Sequence, residues 1–256
     1  MKHGSLIPLF GRARRDPSLA VLEGFHPLKH ALRFDADVRE VVTPDGARLA
    51  ELARALAPDV AATISQLARP VDAAVFEQLA PLAPSTGVMS IAARPAIDDA
   101  DVLATAHDGP VVLLEDPRDL GNIGACVRVA AAADVAGLLT TGSHDPWHPD
   151  ALRGAAGLHF ALPVARLEQI DALRECDRPL LAIDPLGDPF EPAALHPRAL
   201  LAFGTERHGL SEPLLELADA RISIPMRAGV SSLNLATSVA ALLFAWRLAR
   251  PAARPR

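Results

Sequence analysis

An α/β fold with a parallel sheet in its C-terminal part is predicted by two patterns in this chain of 256 residues. Residues 110–140 read strand, polar loop, alanine-rich helix and strand, the βαβ unit that seeds a parallel sheet. Residues 199–226 contain two short apolar runs, 199–203 and 222–224, cut off by Gly204 and Pro225 ahead of a long helix starting near Asn234. Loops of this kind expose backbone N–H and C=O groups without side-chain obstruction, which suits a site that grips a flat, polar ligand by its edges. Half of the residues are hydrophobic (50%), so a sizeable core is available.

Taken in order, residues 1–93 alternate helical and strand patterns and form a small α/β domain. A turn at Gly24 and Pro27 leads into helical spacing through Leu28, Ala31 and Leu32. A strand at 38–42, an amphipathic helix at 47–56, a helix at 71–79 and a strand at 87–93 come after it. Residues 94–109 carry Pro95 and the aspartates Asp98, Asp99, Asp101 and Asp108, and read as a linker with one helical turn at 98–105. The second domain, 110–249, begins with a buried strand at 111–114. A polar loop at 115–121, a helix at 123–133 and a strand at 137–140 come next. The last helix, 235–249, puts Val239, Leu242, Leu243 and Trp246 on one face. Residues 250–256, rich in proline and arginine, are expected to be a disordered tail.

Composition narrows the function. A formal net charge of −6 argues mildly against a polyanion partner, because nucleic-acid binders usually carry a basic excess. Residues 1–34 nevertheless hold six basic side chains, Lys2, Arg12, Arg14, Arg15, Lys29 and Arg33, against the acidic Asp16 and Glu23, enough for a local basic face. No apolar run reaches the length of a membrane span, and the N-terminus lacks the core of a signal peptide, so a cytoplasmic protein without membrane contact is expected. Cys126 and Cys176 make neither a disulfide framework nor a zinc set and read as small buried thiols. His144 and His148 are separated by a proline-broken loop with no third ligand, so no metal is expected. The loop after the first strand of the second domain is not Gly-x-Gly-x-x-Gly, and the chain has no Gly-x-x-x-x-Gly-Lys-Ser/Thr. A dinucleotide-dependent oxidoreductase is therefore disfavoured.

Three segments carry a resemblance. Asn122-x-Gly124-x-x-x-Arg128 follows a strand; Gly204-Thr-Glu206-x-x-Gly209-Leu210 follows another; Ile224-Pro-Met226 precedes Ser232-Leu-Asn234 at the head of the last helix. In this order, spacing and local structure they resemble the three motifs of the SpoU (TrmH-type) RNA ribose 2′-O-methyltransferases of the SPOUT superfamily, closely over residues 110–248. More loosely, 21–34 and 87–93 look like the small substrate-binding domain that many members carry in front.

The resemblance implies a C-terminal domain tied into a trefoil knot, an exception to ordinary connection rules. It also implies S-adenosylmethionine as methyl donor, S-adenosylhomocysteine as product, and a homodimer to which the last helix contributes. Cofactor positions carried over by motif are Phe203, Gly204, Ile224, Met226 and Leu233. The catalytic positions are Arg128, Asn122, Glu206, Ser232 and Asn234. Arg128 takes the hydroxyl proton or orients the nucleophile, although a guanidinium is a poor base. Asn122 orients Arg128 or caps its helix, and Ser232 and Asn234 cap the last helix or touch substrate. Arg153 is expected near RNA phosphate, with Lys29 and Arg33 as further RNA contacts. Ala155, where a serine is common, and Ser231, where an acid is common, depart from the pattern. Ribosomal RNA is the expected substrate, with transfer RNA or a catalytically silent RNA-binding relative as the alternatives.

Overall fold

The computed structural model describes residues 6–205 and 208–250. The chain divides into two compact units. One runs up to Ala96 and adds Trp147–Ala161; the other comprises Ile97–Pro146 and the chain from Leu162 onward.

The first unit is built on a sheet of order β1-β4-β2-β3, with β1 at Leu19–Glu23, β2 at Val38–Thr43, β3 at Ala68–Pro70 and β4 at Met89–Ala93. Strand β4 runs antiparallel to β1 and β2, whereas β2 and β3 are parallel. Successive residues point to opposite faces, so Val41 and Val42 enter different cores. Val42 joins Phe10 of α1 (Leu6–Ala13) and Phe76 of α5 (Ala73–Phe76). Val41 joins Leu28 of α2 (Phe25–Arg33), Leu49 of α3 (Gly46–Leu56) and Ile64 of α4 (Ala61–Leu67). Pro27 sits inside the first turn of α2, where its missing N–H costs nothing, and not in a turn ahead of the helix. The helix expected over 71–79 is regular only across α5, with Asp72 accepting a hydrogen bond from Ala74 N–H at its start.

The segment Trp147–Ala161, which carries α8 (Pro149–Gly154), belongs to this unit, although sequence order places it in the second domain. Trp147 packs edge-on to Phe160 at 5.2 Å between centroids, and the Arg94 guanidinium lies 5.3 Å from the Trp147 ring. His30 Nδ1 donates to the Ala156 carbonyl at 2.7 Å, and burial pushes this imidazole below the usual histidine range.

The second unit holds a six-stranded parallel sheet of order β10-β8-β9-β5-β6-β7. Its strands are β5 (Val111–Leu114), β6 (Gly137–Thr140), β7 (Val164–Arg166), β8 (Leu180–Pro189), β9 (Leu200–Phe203) and β10 (Ala220–Ser223). Every residue of β5, β6 and β9 is buried, as expected for parallel strands covered on both faces. Val111, Leu113, Leu139, Leu200 and Ala202 pack with Val102 of α6 (Asp99–Ala104) and Leu214 of α9 (Glu212–Leu217). Alternate residues face the other way, where α7 (Leu120–Ala133) and α10 (Leu235–Ala249) pack on each other.

Helix α6 falls inside the stretch expected as a linker. Asp98 and Asp101 close a capping box at its start, and Val102 is buried. Arg178 anchors the turn that leads from α6 into β5: only 3% exposed, it donates to the carbonyls of Leu103 (3.0 Å), Thr105 (2.8 Å) and Gly109 (3.1 Å). Burial lowers its pKa from the usual arginine value. This guanidinium takes the place of a strand partner, pairing backbone oxygens that the sheet does not reach.

The apolar face Val239, Leu242, Leu243 and Trp246 of α10 is buried within the chain, so this stripe gives no support to a dimer. Thr237, Ala241, Phe244 and Leu248 run along an exposed face of this helix. Cys126 is buried as expected, whereas Cys176 is half-buried. No helix among the described residues is long and apolar enough to cross a membrane. The expected tail lies outside the described residues from 251 to 256.

Candidate active site

In a parallel sheet the loops at the carboxyl ends of the strands gather on one edge, and ligands bind where the strand order reverses. Here the chain runs outward from β5 through β6 to β7, then returns to lay β8 and β9 on the other side. The reversal lies between β5 and β9, which pair in register from Val111 with Leu200 to Leu114 with Phe203. Two cavities open at this edge.

The first, of about 330 Å³, lies beyond β8, β9 and β10 and is lined by Phe203, Gly204, Ile224, Met226 and Leu233, all five cofactor candidates. Ser232 lines it too, as do Ser231 and Ser238. Gly204 is required by space: a Cβ there would stand 2.0 Å from the Gly209 carbonyl carbon and 2.3 Å from Leu210 N. The close approach comes from Thr205 and Gly209, whose backbones exchange two hydrogen bonds of 3.0 Å and pinch the loop shut. Glu206, between Thr205 and Gly209 in sequence, lies outside the described residues.

The second cavity, of about 780 Å³, is lined by Asn122 and by the loops after β5 and β9, including Glu115, Asp119 and His208. Thr205, Gly209 and Leu235 line both cavities, so the two share a wall. Glu115 ties the loops together, accepting from Ser211 N–H at 2.7 Å and from the Ser211 hydroxyl.

Asn122 and Asn234 meet across this wall: the Asn234 amide donates to Asn122 Oδ1 at 3.1 Å. Asn234 also caps α10, accepting from Thr237 N–H at 3.2 Å. The N-cap residue of α7 is Asp119, which accepts from Asn122 N–H at 2.8 Å. Arg128 is exposed on α7 and lines neither cavity. Six residues on from Asn122, it lies roughly 9 Å along the helix axis and about 120° round it. One chain therefore brings Asn122 and Asn234 together and leaves Arg128 apart.

The three RNA candidates Lys29, Arg33 and Arg153 all lie in the first unit. Lys29 and Arg33 share one face of α2. Arg33 holds Asp59 through two bonds of 2.6 and 2.7 Å, which pulls the Asp59 carboxyl down to about 2. Arg153 pairs with buried Glu23 at 2.9 Å and with Asp150. Phosphate at either arginine would have to compete with these carboxylates.

Sequence reasoning missed the part of β8 that enters the smaller cavity. Arg221 of β10 pairs with Ala182, but the next residue, Ile222, pairs with Asp188, so residues 183–187 are unpaired with β10, although Ile183 still pairs with Phe203 of β9. Ile183, Asp184 and Pro185 thereby line the cavity. The only hint in the sequence is Pro185-Leu-Gly187 after an apolar run, an ordinary turn signal.

The smaller cavity suits a nucleoside with an amino-acid tail. Ile224, Leu233, Met226 and Phe203 supply apolar walls for a base, the glycine-pinched loop supplies backbone groups, and three serines and a carboxylate supply polar contacts.

Comparison with known proteins agrees. Residues 109–244 match the model of the SpoU rRNA Methylase family. A 23S rRNA (uridine(2479)-2′-O)-methyltransferase of Streptomyces viridochromogenes is 33% identical over 169 residues, 61% of this chain and 58% of that protein. The matched stretch thus spans little more than half the length of that relative. The Bacillus subtilis 23S rRNA (guanosine(2553)-2′-O)-methyltransferase RlmP is 28% identical over 240 residues, 91% of this chain and 90% of that one. Among solved structures, the SpoU methyltransferase AviRb from Streptomyces viridochromogenes in complex with AdoMet superposes with a TM-score of 0.77 at 27% identity, covering 96% of this chain and 97% of that chain.

Proposed function

The chain belongs to the SpoU rRNA methylase family, and from that premise we propose that it methylates a ribose 2′-hydroxyl of ribosomal RNA in the cytoplasm, with S-adenosylmethionine as donor. The supporting observation is the pair of cavities with a shared wall at the reversal of the sheet. A methyl donor in one and a ribose in the other would meet at Thr205, Gly209 and Leu235. The relatives whose names specify ribosomal RNA 2′-O-methylation support the substrate class.

In this reading Phe203, Ile224, Met226 and Leu233 wall the base of the cofactor, and the backbone around Gly204 reads its polar edges. Bound there, S-adenosylmethionine supplies a sulfonium methyl as electrophile. Asn122 and Asn234, locked to each other, fix the head of α10 against the start of α7 and hold the wall rigid, which favours collinear attack. Arg128 orients the attacking hydroxyl and its phosphate, or draws off the hydroxyl proton with help from a neighbour. Glu206 is assigned to the same loop by motif. The trefoil knot belongs to this proposal: it would thread the segment from β9 to α10 through an earlier loop.

Arg128 lines neither cavity of its own chain, and a second copy would supply a surface against it. We place the homodimer on α7 and the exposed face of α10, where Phe244 is 40% and Leu248 83% exposed. Phe244→Arg should lower the solution mass from twice 27.0 kDa to 27.0 kDa by light scattering, without loss of helical circular dichroism. An unchanged mass would move the interface elsewhere.

The function is tested by mapping 2′-O-methylated nucleotides across all RNA of cells with and without the gene. One ribosomal methylation lost with the gene and restored by its return is the expected result. Loss from a transfer RNA instead would shift the substrate class, and no change in an expressing strain would overturn the reaction.

A further inference from the structure

Asp184 is the one charged side chain among the described residues that line the 330 Å³ cavity. Its position is built. Ile183 stays paired with Phe203 of β9, but pairing of this strand with β10 stops after Ala182 and resumes at Asp188, next to Gly187, where a Cβ would stand 2.5 Å from Ile222 N. No other residue type closes that return without displacing β10. Within the loop, Asp184 Oδ1 accepts from Leu186 N–H at 2.7 Å, which orients the carboxylate and leaves its second oxygen uncommitted by that bond. The rest of the lining among the described residues is neutral: apolar walls, backbone and the hydroxyls of Ser231, Ser232 and Ser238.

A carboxylate on a neutral, partly enclosed wall favours a cation. If the cavity holds the methyl donor as proposed above, the change of charge during transfer is one unit. The 2′-oxygen forms a bond to the methyl carbon, the carbon–sulfur bond breaks with its electron pair going to sulfur, and the hydroxyl proton leaves to water. The sulfonium becomes a neutral thioether. We propose that Asp184 is the counter-charge that makes this cavity prefer the sulfonium cofactor over its thioether product. Binding then weakens as soon as the methyl group departs, which drives exchange of product for fresh donor.

Calorimetry with S-adenosylmethionine and S-adenosylhomocysteine, on the full chain without RNA, tests this directly. Asn at position 184 can still accept from Leu186 N–H, so Asp184→Asn removes the charge and keeps the turn. The variant should bind S-adenosylmethionine about tenfold more weakly while its affinity for S-adenosylhomocysteine changes less than about twofold, the size expected for a partly solvated charge pair. Asp184→Glu, which keeps the charge, should retain most of the preference, and thermal melting of both variants checks that the fold is intact. Equal weakening for both molecules, or none for either, would overturn the proposal while leaving the methyltransferase reading standing. If the unaltered chain binds neither molecule, the cofactor reading itself falls, and this proposal with it.

Discussion

Arg128→Ala should reduce methyl transfer by about 10²–10⁴-fold, the range for a group that moves or steers a proton, while leaving the protein folded and able to bind S-adenosylmethionine. The dissociation of the two effects follows from position. Arg128 is exposed on α7 and lines neither cavity, so no wall is lost with it. An exposed helical arginine replaced by alanine should change stability by no more than about 0.5 kcal/mol. Incorporation of labelled methyl into RNA from cells lacking the gene reads the first effect, and calorimetry with the cofactor alone reads the second. Arg128→Lys then separates the two roles. A lysine preserves the charge but loses the planar fork, so persistent failure marks orientation of a phosphate or hydroxyl by two parallel bonds. Full activity with lysine would show that charge alone suffices. Activity kept by the alanine variant would remove Arg128 from the reaction.

Gly204→Ala should abolish measurable cofactor binding. The added Cβ would lie 2.0 Å from the Gly209 carbonyl carbon, so one backbone must move by about an ångström or more to restore ordinary contact. That movement breaks the reciprocal Thr205 and Gly209 bonds and shifts the wall that both cavities use. Overpacking of this kind costs about 1–3 kcal/mol of stability, and the loss of cavity shape adds to it in binding. Gly209→Ala is the control. Its Cβ would meet nothing within 4 Å among the described residues, and the positive φ of 66° is penalised at about 1–2 kcal/mol. Thermal melting should therefore show a cost for both variants, and calorimetry a loss of cofactor binding at Gly204 alone. Equal binding by the two would mean that the loop opens easily and that Gly204 does not shape the site.

Local chemistry determined much of this protein. Short runs rich in apolar residues at 111–114, 137–140 and 199–203 mark strands buried on both faces, and Gly204 marks where the last of them stops. The residues that line the smaller cavity were singled out by the resemblance of the 204–210 and 224–234 segments to family motifs, and the parallel sheet brings the ends of β9 and β10, which those segments follow, to one edge. Tertiary structure decided the rest. The segment Trp147–Ala161 joins the first unit because its aromatic cluster and Arg94 find each other there, a partnership that sequence distance conceals. Asp184 enters the cavity through a register shift between β8 and β10, and register depends on which strand lies alongside. The apolar face of α10 was visible as a stripe, but its burial against α7 and the exposure of Phe244 and Leu248 depend on packing. Residue order sets which elements form and where they end; which side chains then share a cavity depends on contacts between segments far apart in the chain, whose pairing no local pattern encodes.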